Sequence, residues 1–179
     1  MDISKDNIHD TSKLASKQEL AAKEIFYSHI VPLAEESFIH DGELSPMVFI
    51  FMDDEENGKV AIAPMPAQMF MESEDKKELL SELLRDMAGK LDILGIGMFS
   101  EAWMTRVDKL TNEAEEKTEI CFFSFESENL VCMKQNTVIR PEDKEKGKID
   151  FKYGDIVLDH TMTGKFVGFL KDMKKVKNN

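Results

Sequence analysis

The sequence is poor in the residues that hold small secreted or metal-bound domains together. Only Cys121 and Cys132 occur among 179 residues, and they do not form a Cys-x-x-Cys pair. Secreted scaffolds need a far higher cysteine density, so we predict two reduced thiols in a cytoplasmic protein. The two cysteines fall on neighbouring strands of an expected hairpin, and whether they face each other depends on the length of its turn.

Long apolar runs and an excess of basic charge are also missing. No apolar stretch approaches the roughly 18 residues of a membrane span, and residues 1–17 lack the apolar core of a secretion signal. The formal net charge is −12, which disfavours direct binding to nucleic acid because that binding depends on neutralising phosphates. We expect no membrane association, and the acidity leaves a basic protein partner open.

The length and composition fit one folded domain. Apolar residue types make up 42% of the chain, which is enough for a globular core, and about 100–200 residues usually share one core. The ends differ from the middle, since the first residues carry few large apolar side chains and the last are rich in lysine. We predict a flexible N-terminus over 1–13, a single domain over 14–170 and a flexible lysine-rich tail over 171–179.

Two helices are expected on the N-terminal side of the chain. Ser16, with a glutamate three residues later, has capping-box spacing and predicts a helix start. Pro32 should bend or divide this helix, and Gly42 should end it. A second helix is expected after Ser73, over 74–90, where leucines recur at helical spacing.

Strand patterns fill most of the remaining chain. Asn57-Gly58 between two apolar runs predicts a hairpin, which Pro64 and Pro66 are expected to end. The period of two over 92–107 predicts a long central strand, with Leu94 on the face of Ile96 and Met98 and Ile93 on the opposite face, with Phe99. A second hairpin is expected over 118–125 and 130–139, and short strands over 149–153 and 156–158. The fold class is therefore α+β, with a mainly antiparallel sheet of about five to seven strands covered by two main helices.

One residue stands out as a catalytic candidate, although common nucleotide-binding and hydrolase signatures are absent. Glu101 alternates with Phe99 and Trp103 on one face of the predicted central strand, where burial would raise the pKa of its carboxyl group toward general-acid use. In the alternative that we favour, Glu101 lies at a solvent-facing edge or pairs with Arg106 or a lysine.

The metal candidates are few, and we predict no metal and no cofactor. His40 and Asp41 could supply ligands together with His160 if folding brings them close. The alternative that we favour is a polar helix end, followed by Gly42, and a separate surface histidine. The acidic run 53–58 offers oxygen ligands without the spacing of a calcium-binding loop, which favours a solvated turn.

The candidate binding residues form a soft apolar connector and one aromatic position. Met65, Met69, Phe70 and Met71 could adapt to a partner's surface, although methionines more often fill gaps in a core, and we favour core filling. Trp103 is the remaining candidate, on the same strand as the catalytic one.

Residues 98–104 read Met-Phe-Ser-Glu-Ala-Trp-Met. This run resembles uncharacterised bacterial and phage proteins in which a strand ends in a similar Glu-Ala-Trp-Met. The resemblance implies a prokaryotic or phage context and agrees with a helix followed by strands, and it brings no activity.

Three functions follow as hypotheses. We favour a non-enzymatic protein-interaction or binding module whose partner is another protein or a second copy. The first alternative is a small metal-dependent or carboxylate-based hydrolase that uses Glu101 or the His40 and His160 groups. The second alternative is an acidic inhibitor that imitates nucleic acid.

Overall fold

The computed structural model describes residues 15–107, 110–111, 113–142, 147–158 and 170. Within these residues the chain forms three α-helices, a π-helical turn (Phe26–Ile30), a short 3-10 helix (Gln68–Phe70) and seven strands. The helices are α1 (Lys17–Ile25), α2 (Val31–Asp41) and α3 (Glu74–Lys90), and the strands are β1 (Met47–Asp54), β2 (Lys59–Pro66), β3 (Ile93–Val107), β4 (Ala114–Glu126), β5 (Val131–Ile139), β6 (Asp150–Lys152) and β7 (Val157–Leu158).

All seven strands join one antiparallel sheet. The strand order is β2-β1-β3-β4-β5-β6, and β7 pairs with β5 beside β6. Helices pack on both faces of this sheet. The predicted α+β fold with an antiparallel sheet and helical cover is therefore confirmed. None of the helices in the described part of the chain is long and apolar enough to cross a membrane.

The first helical segment is continuous but not uniform. A side chain caps its start, because Ser16 Oγ accepts a hydrogen bond from the amide of Glu19 at 3.1 Å. The π turn separates α1 from α2, and Pro32 follows it within the first turn of α2. Proline has no amide hydrogen to continue a regular helix, and the wider turn accommodates that loss. Gly42 ends α2 in the left-handed conformation, with φ of 80°.

The strands contribute to two separate cores: β1, β2 and β3 place residues in both, whereas β4, β5 and β6 contribute to the first. On one face the sheet packs against α1, the π turn and α2, and on the other it packs against α3. The first core is largely aromatic and includes Phe26, Phe38, Phe51, Phe99, Phe123 and Phe125. The second core is aliphatic and includes Val48, Ile50, Leu80, Leu84, Ile96 and Met98.

The closest approach between helix and sheet lies at Phe26 and Gly97. Phe26 is fully buried, and its ring packs on those of Phe49, Phe51 and Phe125 at centroid distances of 6.0–6.3 Å. A Cβ atom at Gly97 would lie 2.5 Å from two ring carbons of Phe26. Only glycine therefore allows the π turn to lie this close to the central strand.

Two expectations about the strands are wrong. Pro64 does not end the first hairpin, because β2 continues through it opposite Phe49 of β1, and the strand ends at Pro66 as expected. β2 is an edge strand, where alternate residues need no amide hydrogen for pairing, so proline is tolerated. The expected faces of Ile93 and Leu94 are exchanged, since Ile93 packs on the second core and Leu94 on the first. A register shift between β1 and β3 at Phe51/Met52 accounts for the exchange.

The expected flexible ends, 1–13 and 171–179, lie outside the described residues, so the domain limits stay predictions. Leu170 is the one described residue beyond 158. It is buried in the second core, and its amide donates to Oε1 of Glu126 at 2.9 Å. The chain thus contacts the sheet again at residue 170.

We expect Gly97→Ala to lower the free energy of unfolding by about 1–3 kcal/mol, because the added methyl group overlaps the ring of Phe26. Urea denaturation of the purified protein measures this loss. Phe26→Leu is itself destabilising, but the double variant should be more stable than the sum of the two changes implies, because leucine leaves room for the methyl group. Additive effects would contradict the contact.

Candidate binding site

A cleft of about 600 Å³ opens between α2 and the first residues of β1. We call it the apolar cleft, because both of its walls are mainly apolar. The helical wall consists of Ile30, Leu33 and Ala34, and the sheet wall of Met47, Phe49 and Phe99. The rim is polar and consists of Ser37, Asp41, Glu43 and Ser45, with Leu44 below. A concave apolar surface with a few polar groups at its edge is typical of ligand sites.

The apolar side chain of Leu33 is exposed to water at this cleft. It is 67% exposed, although it lies on the helix that forms the first core. Met47 and Phe49 on the opposite wall are only half buried. Apolar groups from two elements therefore face one solvent-filled space, and covering them would be favourable.

The π turn places the helical wall of the cleft. Ile30 is its last residue, and Leu33 follows in the first turn of α2. A π turn contains one residue more than an α turn, which rotates the residues after it by about 100° relative to a regular helix. The face that α2 presents to the cleft thus depends on this irregular turn.

A second cleft of about 390 Å³ adjoins the first, and we call it the acidic lobe. The two share Glu43, Leu44 and Ser45 as lining residues. The acidic lobe is completed by Pro46, Gln68, Met71, Glu72 and Glu101. Together the two clefts are lined by four carboxylates, and the described lining residues include no lysine or arginine.

Glu101 has a structural partner in the acidic lobe. Its Oε1 accepts a hydrogen bond from the backbone amide of Leu44, a buried residue of the first core. The bond fixes the segment between α2 and β1, and this segment forms the rim that the two clefts share. Glu101 is half buried at this position. Its partner is the backbone amide of Leu44, whereas the favoured alternative named a solvent-facing edge or a pairing with Arg106 or a lysine.

Beneath α2, two ion pairs connect elements across the first core. Glu35 accepts hydrogen bonds from Lys134 at 2.6 Å and from Asn136 at 2.5 Å. Glu119 on β4 accepts two from Arg140, at 2.5 and 2.6 Å. Arg140 also donates to the carbonyl oxygen of Gly42 at 2.9 Å, which links it to the end of α2. All of these carboxylates are satisfied, as buried charges require.

The same carboxylates surround a thiol that is not activated. Burial raises the pKa of Cys121 to about 12, with further contributions from the negative charges of Glu101 and Glu119. Burial also raises the pKa of Cys132. The two cysteines are not opposite each other, since Cys121 pairs with Asn136 in the sheet register and Cys132 with Phe125. Both are free thiols, and neither has the lowered pKa of a nucleophile.

The predicted metal candidates are only partly described. His40 Nδ1 and Asp41 Oδ1 lie 2.6 Å apart on the surface, where Asp41 raises the pKa of His40 and His40 lowers the pKa of Asp41. His160 lies outside the described residues. No group of three or more His, Cys, Asp or Glu side chains among the described residues is arranged to hold a metal ion.

The apolar connector lies partly in the core and partly at the surface. Met65, Phe70 and Met71 pack against the second core, as the core-filling alternative expects, whereas Met69 is 62% exposed. Met71 also lines the acidic lobe together with Glu101, so two of the sequence candidates share one cleft. Trp103 is 66% exposed on β3 and does not line either cleft.

The apolar cleft was not among the candidates from sequence. Leu33 has the helical spacing of a core residue, and Met47, Phe49 and Phe99 have the alternation of buried strands. The pattern gives no sign that a cleft lies between α2 and β1. Pro32 was the one signal near the site, because it indicated an irregular helix immediately before Leu33.

Comparisons with family models, with curated proteins and with solved structures found no match to this chain.

We expect Glu101→Ala to lower the free energy of unfolding by about 1–3 kcal/mol, because it leaves the buried amide of Leu44 without an acceptor. Glu101→Gln keeps a carbonyl oxygen at this position and should retain most of the stability. Urea denaturation of both variants distinguishes them. Equal losses would show that the hydrogen bond to Leu44 is not the important contact.

Both thiols should resist modification in the native protein. At pH 8 we expect Ellman's reagent to react with neither Cys121 nor Cys132, because both are buried and have raised pKa values. The same protein in urea, where both thiols become accessible, is the control. Rapid reaction of one thiol before unfolding would contradict this environment.

Proposed function

We propose that this protein is a non-enzymatic interaction module that binds a segment of another protein in the apolar cleft. The observation that carries the proposal is the exposed side chain of Leu33, which faces the half-buried Met47 and Phe49 across the cleft. The volume of about 600 Å³ falls in the range of ligand sites, about 300–1,000 Å³.

The length of the cleft supports a peptide segment as its occupant. The lining residues on its helical side, wall and rim together, run from Ile30 to Asp41, which at about 1.5 Å per residue is roughly 16 Å. An extended chain advances about 3.3 Å per residue, so roughly five residues of a partner would fit along α2. The acidic lobe extends the surface beyond that length.

The candidate catalytic groups support a binding role over catalysis. The carboxylate of Glu101 is engaged by the Leu44 amide, and the thiols of Cys121 and Cys132 are buried with raised pKa values. A carboxylate that accepts a hydrogen bond from a backbone amide and buried thiols are typical of groups that stabilise a fold. Two buried free thiols also fit a location in the cytoplasm, which is part of the proposal together with a prokaryotic or phage origin.

Selection of a random peptide library on the immobilised protein tests the proposal. We expect selected peptides to bind Leu33→Gln about tenfold more weakly than the unchanged protein, because covering a largely exposed leucine contributes about 1–2 kcal/mol. Fluorescence polarisation with the labelled peptides measures the difference.

Leu79→Gln is the matched control. Leu79 is 55% exposed on α3, on the other face of the sheet, so its loss removes a similar side chain away from the cleft. Binding that weakens equally in both variants, or that does not depend on Leu33, would exclude the cleft as the site.

A further inference from the structure

We infer that the segment bound by this protein carries a lysine or arginine close to a large apolar residue, with the apolar side chain in the apolar cleft and the cation in the acidic lobe. This inference rests on the proposed function and adds the chemistry of the partner. It commits to a basic segment of another protein and not to a second copy of this acidic chain.

The charge of the two joined clefts favours a cation. The carboxylates of Asp41, Glu43, Glu72 and Glu101 line the two joined clefts without a lysine or arginine among the described lining residues. Asp41 and Glu43 lie beside the apolar walls of the first cleft, which exclude part of the water and strengthen attraction to a cation compared with an open surface. A neutral or acidic segment would have to bring its polar groups next to this charge without compensation.

The four carboxylates differ in whether they already have a hydrogen-bond or ion-pair partner. Glu43 has no hydrogen-bond or ion-pair partner in the described part of the chain. Asp41 is engaged by the hydroxyl group of Ser37 and by His40, and Glu101 uses one oxygen for the amide of Leu44. Glu72 pairs with Lys76 on the surface of α3, and an exposed pair four residues apart contributes only about 0.3–0.5 kcal/mol. Glu43 is therefore the carboxylate that a partner's cation can approach without displacing another group.

The rim that the two clefts share joins the apolar surface to the acidic one. Glu43 and Ser45 line both clefts, so the apolar and acidic surfaces meet at this segment. An apolar side chain beside Met47 and Phe49 would have its neighbours in the partner's sequence close to Glu43. Side chains two apart on an extended segment lie about 7 Å apart on the same side. The recognised feature is thus an apolar residue with a cation within about one to three positions.

Three pools of short, acetylated and amidated peptides test this feature. Each pool has one fixed leucine and uncharged random positions, and the pools differ in carrying lysine, glutamine or glutamate two positions from the leucine, on the same side of an extended segment. We expect the unchanged protein to bind the lysine pool about tenfold more tightly than the glutamate pool in fluorescence polarisation, with the glutamine pool between them. The preference should shrink as the salt concentration rises from ~0.05 to ~0.5 M.

Charge reversal at the shared rim locates the preference. Glu43→Lys should remove the preference for lysine or reverse it. Glu55→Lys changes the net charge equally in the exposed turn of the first hairpin and should leave the preference unchanged. If Glu55→Lys has the same effect as Glu43→Lys, the preference reflects net charge alone and the inference fails.

The outcomes separate this inference from the proposed function. Equal binding of all three pools that still depends on Leu33 would overturn the inference and leave the binding module in place. Binding of no pool, or binding independent of Leu33, would overturn both. Leu33-dependent dimers in analytical ultracentrifugation would show that a second copy occupies the cleft, which also overturns the inference.

Discussion

The contact between Phe26 and Gly97 sets the distance between the first helical segment and the sheet. The ring of Phe26 lies directly on the backbone of the central strand and is enclosed by Phe49, Phe51 and Phe125. Because the ring belongs to the π turn, the contact holds the helical segment at its irregular point. The direction in which α2 leaves this point then determines how much of β1 it covers.

The two sides of α2 differ in what holds them to the sheet. Toward β4 and β5, Glu35 binds Lys134 and Asn136, and Arg140 reaches the carbonyl oxygen of Gly42 at the end of the helix. Toward β1 the helix presents Leu33 to an open cleft. Buried ion pairs add little net stability but require one arrangement of their partners. Fixing α2 on one side in this way leaves the cleft open on the other.

The sequence predicted the local features of the fold better than the relation between its elements. The capping box at Ser16, the turn at Asn57-Gly58 and the helix after Ser73 depend on residues close in the chain, and all three are present. The exchange of Ile93 and Leu94 arises from a register shift between two strands, which a period of two within one strand does not reveal.

The candidate site was even harder to predict from the sequence, because it depends on contacts between distant elements. Glu101 was identifiable as an unusual carboxylate on a central strand, yet its partner is the amide of Leu44, 57 residues earlier. Leu33 has the pattern of a core residue and lies in water because it faces the cleft between α2 and β1. Sequence periodicity shows which side chains share a face, whereas a cleft depends on the angle between two packed elements.

The carboxylates that line this cleft act differently from the negative charge on the rest of the surface. A net charge of −12 distributed over the surface would attract any basic molecule, and salt would screen most of that attraction beyond about 10 Å. Carboxylates beside an apolar wall act at shorter range, where a partner must satisfy both surfaces at once. Such a pair of demands selects a few segments among many basic ones, since a cation without a neighbouring apolar residue would leave Leu33 and Phe49 in water.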